Sequence, residues 1–133
     1  MKSLFKTYVG CVAVGVLCCA VMIAVAVTTS TITTTSGNGG KTVTSVDTNV
    51  VNVQFNLPAR IISLYNAGAS TQELYAVKNC TVAQFNTAVA NSSATTIRGG
   101  NAYLFQGGLP CTNVCFAMKN GDGTADVDVA VQK

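Results

Sequence analysis

The sequence predicts a mostly β protein: an N-terminal apolar helix, then a small antiparallel β-sandwich or barrel head with one or two short helices. Three observations predict this class. Nineteen consecutive uncharged residues, from Val9 to Val27, read VGCVAVGVLCCAVMIAVAV. Apolar and polar side chains then alternate over Val51–Leu57 and again over Val127–Val131. Turn-forming residues separate the short apolar stretches of residues 41–133 at intervals of about 8–15 residues, which is typical of all-β domains.

Residues 1–27 consist of a basic end and the apolar run. As a helix rising 1.5 Å per residue, the run spans roughly 28 Å, about the hydrocarbon thickness of a bilayer. Lys2 and Lys6 precede it, so this end should stay cytoplasmic while the rest is translocated. Three interpretations stay open: a secretory signal cleaved after residues 24–26 (Ala-Val-Ala), a retained membrane helix, and a helix packed in a filament core. The residues expected to make the membrane or assembly contacts are Val9, Val12, Val16, Leu17, Val21, Ile23 and Val27.

Residues 28–40, TTSTITTTSGNGG, are predicted to be a hinge. Threonine is branched at Cβ, so the first part should be extended. The glycines of residues 37–40 predict a flexible break. The hinge is interpreted either as a solvated linker or as a strand donated to the open sheet edge of a neighbouring subunit.

The head domain, residues 41–133, contains the clearest strand pattern in the chain. Val51–Leu57 alternate as a half-buried strand does, and Pro58 predicts its end. A second apolar run, residues 59–65, should close in a turn at residues 66–68.

The middle of the head mixes strand and helix signals. Residues 74–77 predict a strand, but a capping-box pattern that begins at Ser70 predicts a short helix nearly as well. A second capping box begins at Thr81 and precedes apolar residues spaced three and four apart, so residues 82–90 should be a short amphipathic helix. Residues 91–96 are predicted to be a polar loop.

The last third of the head should contain three more strands. Residues 102–105 form the first, and the Gly-Gly-Leu-Pro sequence of residues 107–110 should break it. Residues 114–119 form the second. The Asn-Gly-Asp-Gly sequence of residues 120–123 predicts a hairpin turn that leads into the returning strand, residues 127–131.

The charge distribution limits the classes of partner. The chain has eight basic and five acidic residues. Two of the basic residues, Lys2 and Lys6, lie in the N-terminal end, which leaves six basic against five acidic residues in the head. Such a head has no basic patch to neutralise phosphates, so nucleic acid is not an expected partner. A nearly neutral surface favours association with copies of itself.

Three of the six cysteines lie in the apolar run and three in the head. A translocated domain forms disulfides by default, so Cys80, Cys111 and Cys115 are disulfide candidates. Three thiols allow one bond, and we expect Cys80 to pair with either Cys111 or Cys115. A zinc site would need further ligands, and the chain contains no histidine.

Neither catalysis nor metal binding is predicted. Without histidine, no Ser-His or Cys-His pair exists. Glu73 is the only glutamate, so a pair of carboxylates in a cleft has little support. The acidic residues of 120–128 lack the spacing of an EF-hand and are interpreted as a turn and a solvated strand face. We expect no enzyme activity, no cofactor and no metal.

Four aromatic residues are interpreted as packing residues rather than a binding surface: Tyr65, Tyr75, Tyr103 and Phe105.

Two tripeptides match the acceptor sequence for N-glycosylation. They begin at Asn79 and Asn91. Asn91 is the better candidate because its loop should be exposed, whereas Asn79 adjoins a cysteine that is expected to form a disulfide.

The order of these parts resembles pilin-like extracellular filament subunits, particularly archaeal ones. The shared features are a short basic leader, the apolar stretch Val9–Val27, the Thr-rich segment Thr28–Ser36 and a small, weakly charged β head. The run has no acidic residue, and Gly10 is separated from Lys6 by three residues. Both features depart from the type IV pattern of bacterial pilins.

The resemblance implies a structural surface protein that self-assembles into an extracellular pilus-like filament. Its partners would be copies of itself, with contact to the membrane at least during export. The alternative is a membrane-anchored ectodomain, either an adhesion or binding module or a virion-envelope protein, with a single N-terminal transmembrane helix.

Overall fold

The computed structural model of the protein describes residues 28–32 and 38–133, and in these residues it contains seven strands and one helix. The order along the chain is β1 (Thr28–Ile32), β2 (Asn38–Val46), β3 (Val51–Asn66), β4 (Glu73–Lys78), α1 (Val82–Ala90), β5 (Thr95–Arg98), β6 (Ala102–Met118) and β7 (Ala125–Gln132). The predicted mostly β class is therefore confirmed.

All seven strands belong to one curled sheet. Its order is β2-β7-β3-β6-β4-β5, and every neighbouring pair in this series is antiparallel. β1 lies off the series and pairs in parallel with the first part of β3, from Thr28 opposite Val51 to Ile32 opposite Phe55. β7 pairs with the last part of β3, residues 61–66. The two parts of β3 thus have different neighbours on the edge away from β6.

β3 and β6 change register at the same place, and this irregularity corrects two predictions. Pairing runs from Gln54 opposite Asn113 to Ala59 opposite Cys111, then resumes at Ile61 opposite Gln106. Residues 55–58 of β3 and 107–110 of β6 are the additional residues. The strands were expected to end at these proline- and glycine-containing stretches, but each strand continues past a bulge. Bulges bend a strand and increase its twist, and so they help the sheet curl.

The main core is the larger of two apolar clusters and lies inside the curled sheet. β7 alternates strictly between buried and exposed residues, with Val127, Val129 and Val131 inward. The largest fully buried side chains of this core are Phe116, Ile62, Leu64 and Leu74. At about 25 cal/mol per Å² of buried apolar area, such side chains supply most of the favourable free energy of folding.

The predicted short helix is confirmed as α1. The Thr81 hydroxyl accepts a hydrogen bond from the Gln84 backbone N–H, and the Gln84 side chain accepts one from the Thr81 N–H. This capping box satisfies donors that have no partner within the helix. Phe85 is buried in a smaller apolar cluster, which we call the helix-side cluster: Val50, Cys80, Phe85, Cys115 and Ala117.

The helix that the pattern at Ser70 also allowed does not form. Residues 73–78 are β4, which lies between β5 and β6 and hydrogen-bonds to both. The cross-strand bonds outweigh a local cap, because a short strand with two neighbours satisfies nearly all its backbone groups. Residues 95 and 96, predicted to be loop, belong to β5.

The turn at residues 120–123 is present, but it does not form the predicted hairpin. β3 and β4 occupy the two edges of β6, so β7 cannot pair with β6 and pairs with β3 and β2 instead. Gln72 and Glu73 hold the turn to the sheet: the Gln72 amide donates to the Thr124 carbonyl (3.2 Å), and the Glu73 N–H donates to Asp122 Oδ2 (2.6 Å).

Asn66 joins β3 to β5 where the sheet curls back on itself. Its side chain is fully buried; Nδ2 donates to the Ile97 carbonyl (3.1 Å), and Oδ1 accepts from the Gly68 N–H (3.0 Å). The Asn66 N–H also donates to the Asn101 carbonyl (3.0 Å). These bonds satisfy a polar side chain that would otherwise be costly to bury.

The predicted hinge contains two strand segments. Thr28–Ile32 is β1, and residues 38–40, expected to be a flexible break, begin β2 and pair with β7. The edge of β7 orders these residues because its backbone groups form hydrogen bonds with them.

Among the described residues, no helix has the length and apolar character needed to cross a bilayer. The predicted apolar helix and its contact residues from Val9 to Val27 lie outside the described residues.

Candidate functional site

An open groove lies where the end of β4 and the start of α1 meet the bulged part of β3 and β6. Its volume is about 570 Å³. Most of the lining side chains are amides or hydroxyls, and one thiol is among them. The lining residues are Asn52, Gln54, Phe55, Asn79, Cys80, Thr81, Val82, Gln84, Thr112 and Asn113.

Cys80 and Cys115 lie together beneath this groove. Cys80 directly precedes the N-cap of α1, and Cys115 belongs to the face of β6 that α1 covers. Cys115 Sγ lies 3.4 Å from the Cys80 carbonyl oxygen, to which the thiol donates a hydrogen bond. Cys80 Sγ also lies 3.4 Å from the Val77 carbonyl oxygen. Neither cysteine forms a disulfide, so both are free thiols.

Asn113 anchors this thiol pair to the sheet. Its Nδ2 lies 2.7 Å from the Cys80 carbonyl oxygen and 3.0 Å from Asn52 Oδ1. The same Nδ2 is 3.7 Å from Cys115 Sγ, so it also donates weakly to that sulfur. One amide on β6 thus fixes the backbone of Cys80 and orients the sulfur of Cys115.

The two thiols differ in acidity. The hydrogen bond from Cys115 lowers the pKa of Cys80 below the ordinary cysteine value, and burial opposes this shift. The same hydrogen bond, reinforced by burial, raises the pKa of Cys115 far above the ordinary value. A donor beside a thiolate stabilises its charge, whereas the donor itself must keep its proton to give that bond. The directions of the two shifts are therefore opposite, with the pKa of Cys80 lowered and that of Cys115 raised.

Cys111 does not join this pair. It is buried in the main core, whereas Cys80 and Cys115 belong to the helix-side cluster. Burial raises the pKa of the Cys111 thiol, and the nearby Lys78 charge offsets part of this effect. Of the two pairings left open by the sequence, the structure brings together Cys80 and Cys115.

The two glycosylation candidates have different surroundings. Asn79 has a positive φ of 51°, and its side chain holds the bulged part of β6: Nδ2 donates to the Pro110 carbonyl (3.3 Å), and Oδ1 accepts from the Thr112 N–H (2.8 Å). Nδ2 is the atom that would receive a glycan. Asn91 is exposed at the C-cap of α1. The geometry favours Asn91, and glycosylation of either residue stays a prediction.

The acidic residues near the β6–β7 turn are held apart by separate partners. Asp126 accepts from the Ser45 N–H (2.9 Å), Asp128 accepts from the Thr42 hydroxyl, and Asp122 accepts from the Glu73 N–H. In residues 28–32 and 38–133, no three acidic, cysteine or histidine side chains are grouped so as to hold a metal ion.

The four aromatic residues interpreted as packing residues divide into two groups. Phe105 is buried and meets the ring of Tyr103 edge to face, with 4.8 Å between the centroids. Tyr75 is half-buried against the helix-side cluster. Tyr65 and Tyr103 are 39% and 42% exposed, so neither is a core residue, although the ring of Tyr103 packs against Phe105. Both lie at one end of the β3–β6 pair, where few neighbours cover them.

Sequence reasoning did not find Asn113, Asn52 or Asn66. Each carries hydrogen bonds between strands that are distant in the chain, and no local pattern marks such residues. Three sequence signals did fall near the groove: the capping box at Thr81, which located the start of α1, and the candidate residues Asn79 and Cys80.

No protein-family model matches the sequence, and no curated protein matches it. Among solved structures, the periplasmic g-type lysozyme inhibitor PliG of Aeromonas hydrophila is 8% identical, with a TM-score of 0.49 over 80% of this chain and 98% of its own. The cupin domain of an XRE-family transcriptional regulator from Enterobacter cloacae is 7% identical, with a TM-score of 0.46 over 73% and 82%. A de novo designed double-stranded β-helix is 13% identical, with a TM-score of 0.35 over 73% and 97%. At these values the similarity carries no inference about function.

Proposed function

We propose that this protein is a structural, self-assembling subunit of an extracellular pilus-like filament. In this proposal the apolar run Val9–Val27 makes the contacts between subunits, and the β domain faces outward. The observation that carries the proposal is the position of β1. This strand begins at the residue directly after the run and lies in register along five residues of β3.

The pairing of β1 matters because a regular assembly needs a fixed relation between the segment that packs and the domain that is displayed. Residues 51–55 of β3 have β6 on one edge and β1 on the other. Backbone hydrogen bonds along β1 fasten the start of the domain to the sheet, so the run would leave each subunit from the same point and in the same direction.

The free energy available to such an assembly is large. Nineteen apolar residues that each bury on the order of 100 Å², at ~25 cal/mol per Å², give tens of kcal/mol per subunit before the entropy of association is subtracted. The β domain can add contacts of its own. Tyr65, Tyr103 and Leu104 are 39%, 42% and 48% exposed, and exposed apolar groups of this kind favour contact between copies.

A charge in the apolar run tests the proposal. In the full-length exported chain, Val16→Asp and Val21→Lys should abolish filaments in electron micrographs, because a charge buried in an apolar contact costs several kcal/mol. The β domain should keep its β-type circular dichroism. Ala90→Lys, at the exposed end of α1, is the matched control and should leave filaments intact. Normal filaments from Val16→Asp would overturn the proposal.

The position of β1 also supports a second candidate, a filament in which each subunit donates this strand to its neighbour. The edge that β1 occupies within one chain can accept the same segment from another copy, as in strand exchange. The double variant Thr29→Pro/Ser30→Pro removes two backbone N–H donors from β1. If the run carries assembly, filaments should still form but with a less regular arrangement of the β domains; if strand donation carries it, filaments should be lost. A wild-type chain that stays monomeric in membranes would favour the anchored ectodomain instead.

A further inference from the structure

We propose that Cys80 and Cys115 form a reversible disulfide, with Cys80 as the thiol that attacks an external disulfide and Cys115 as the thiol that closes the bond. This inference is independent of the proposed assembly role. It rests on three observations: the hydrogen bonds that hold the two cysteines side by side, their unequal access to solvent and the position of the pair at the start of α1.

Hydrogen bonds hold Cys80 and Cys115 side by side. Cys115 Sγ lies 3.4 Å from the Cys80 carbonyl oxygen. The Asn113 amide holds both residues, through the Cys80 carbonyl and the Cys115 sulfur. Because the two residues are 35 positions apart in the chain, only the folded sheet places them side by side.

Access to the pair is one-sided. Cys80 lines the groove of about 570 Å³ and is 7% exposed, whereas Cys115 is 0% exposed. A small disulfide that enters the groove therefore meets Cys80 before Cys115. The lowered pKa of Cys80 also favours Cys80 as the first thiol to attack, because the thiolate is the form that attacks.

The chemistry needs an external disulfide as oxidant. The Cys80 thiolate attacks one sulfur of that disulfide, forms a mixed disulfide and expels the first thiolate. Cys115 Sγ then attacks Cys80 Sγ and expels the second thiolate, which takes up the Cys115 proton. Two protein thiols are oxidised by two electrons, and the external disulfide is reduced to two thiols. The new bond joins the residue before the N-cap of α1 to β6.

Cys111 provides the internal control. It is 2% exposed, lies in the main core and does not line the groove. Cys111 and Cys115 belong to the same strand, β6. If a position on that strand were enough to make a cysteine the partner of Cys80, Cys111 would compete with Cys115.

The experiment treats the full-length chain with graded ratios of oxidised to reduced glutathione, blocks the remaining thiols by alkylation and maps tryptic peptides by mass spectrometry. Cleavage at lysine and arginine leaves Cys80 in the peptide of residues 79–98 and the other two head cysteines in that of residues 99–119. The wild type should give these two peptides cross-linked, and fragmentation of the product should assign the bond to Cys115.

The variants then separate the roles of the thiols. Cys111→Ala should keep the cross-link. Cys115→Ala should lose it and leave Cys80 as a mixed disulfide with glutathione, whereas Cys80→Ala should lose it and leave Cys115 unmodified. A cross-link that survives Cys115→Ala, or a wild-type chain that forms none at any glutathione ratio, would overturn the proposal. Fragmentation of the wild-type product decides the partner even if a variant fails to fold.

Discussion

The main core and the helix-side cluster are both buried, but they are built differently. The main core consists of apolar side chains from long alternating strands, and β7 shows the alternation in every residue. The helix-side cluster is smaller, and it combines Phe85 and Val50 with two thiols that an amide holds in place. The comparison indicates that the main core supplies stability, whereas the chemically reactive groups lie where α1 covers the sheet.

The largest effect should follow from truncating the centre of the main core. Phe116→Ala removes a fully buried ring and leaves a cavity, so the free energy of unfolding should fall by about 3–5 kcal/mol. Urea unfolding followed by circular dichroism measures this loss. For so small a domain, such a loss is a large part of the total stability. A loss below about 1 kcal/mol would show that Phe116 is not central to the core.

Truncating the helix-side cluster should have a smaller and more local effect. Phe85 is the buried contact of α1, so Phe85→Ala should cost about 3 kcal/mol, the lower end of the range for phenylalanine. Hydrogen exchange should rise most in α1, while the amides of β7 stay protected. Equal loss of protection in α1 and β7 would mean that the two clusters unfold as one unit.

Asn66 tests whether the buried polar side chain that joins β3 to β5 adds to the stability that the main core supplies. Asn66→Ala leaves the Gly68 N–H and the Ile97 carbonyl without their partner, so stability should fall by about 1–3 kcal/mol. Asn120→Ala, at an exposed position in the β6–β7 turn, is the control and should change stability little. Denaturant unfolding of the two variants compares them directly. Equal stability of the two variants would contradict the role of Asn66 in closing the sheet.

The smallest effect should come from the ion pair between Lys119 and Glu73, which joins β6 to β4 at the surface near the helix-side cluster. The hydrogen bond to Glu73, 2.7 Å long, raises the pKa of Lys119 above the ordinary lysine value. Its contribution to stability should therefore be complete below the ordinary lysine pKa and disappear as pH rises through the raised value. Lys119→Met should remove this pH dependence, which lies above the ordinary lysine pKa of about 10.4. An unchanged pH profile would show that the pair contributes nothing measurable.

The comparison also separates what the sequence could predict from what it could not. Period-two alternation is local, and so it predicted β7 and the first part of β3 correctly. The capping box at Thr81 predicted α1. Pro58 and the glycines of residues 107–110 were interpreted as strand ends, although matching bulges let both strands continue. Which strands pair depends on contacts distant in the chain, and for that reason the predicted β6–β7 hairpin was wrong.

For the candidate site too, the sequence predicted local features but not the contacts between residues distant in the chain. The sequence identified Cys80, Cys111 and Cys115 as disulfide candidates but left the pairing open. Residues 111 and 115 are four apart on one strand, yet they belong to different clusters because β6 changes register nearby. Only the folded sheet separates them, and only it brings Asn113 to the thiol pair.

The central claim is that the apolar run stays on the mature subunit, because the proposed assembly uses it. Intact-protein mass spectrometry of material isolated from its native source, with and without reduction, tests this claim most directly. The account predicts a mass that begins at Met1 or within Lys6–Cys11, so that the run is retained. A mass that begins near Val27 would contradict it, because the run would then be a removed signal and the mature protein would be a β domain that begins at the Thr-rich strand.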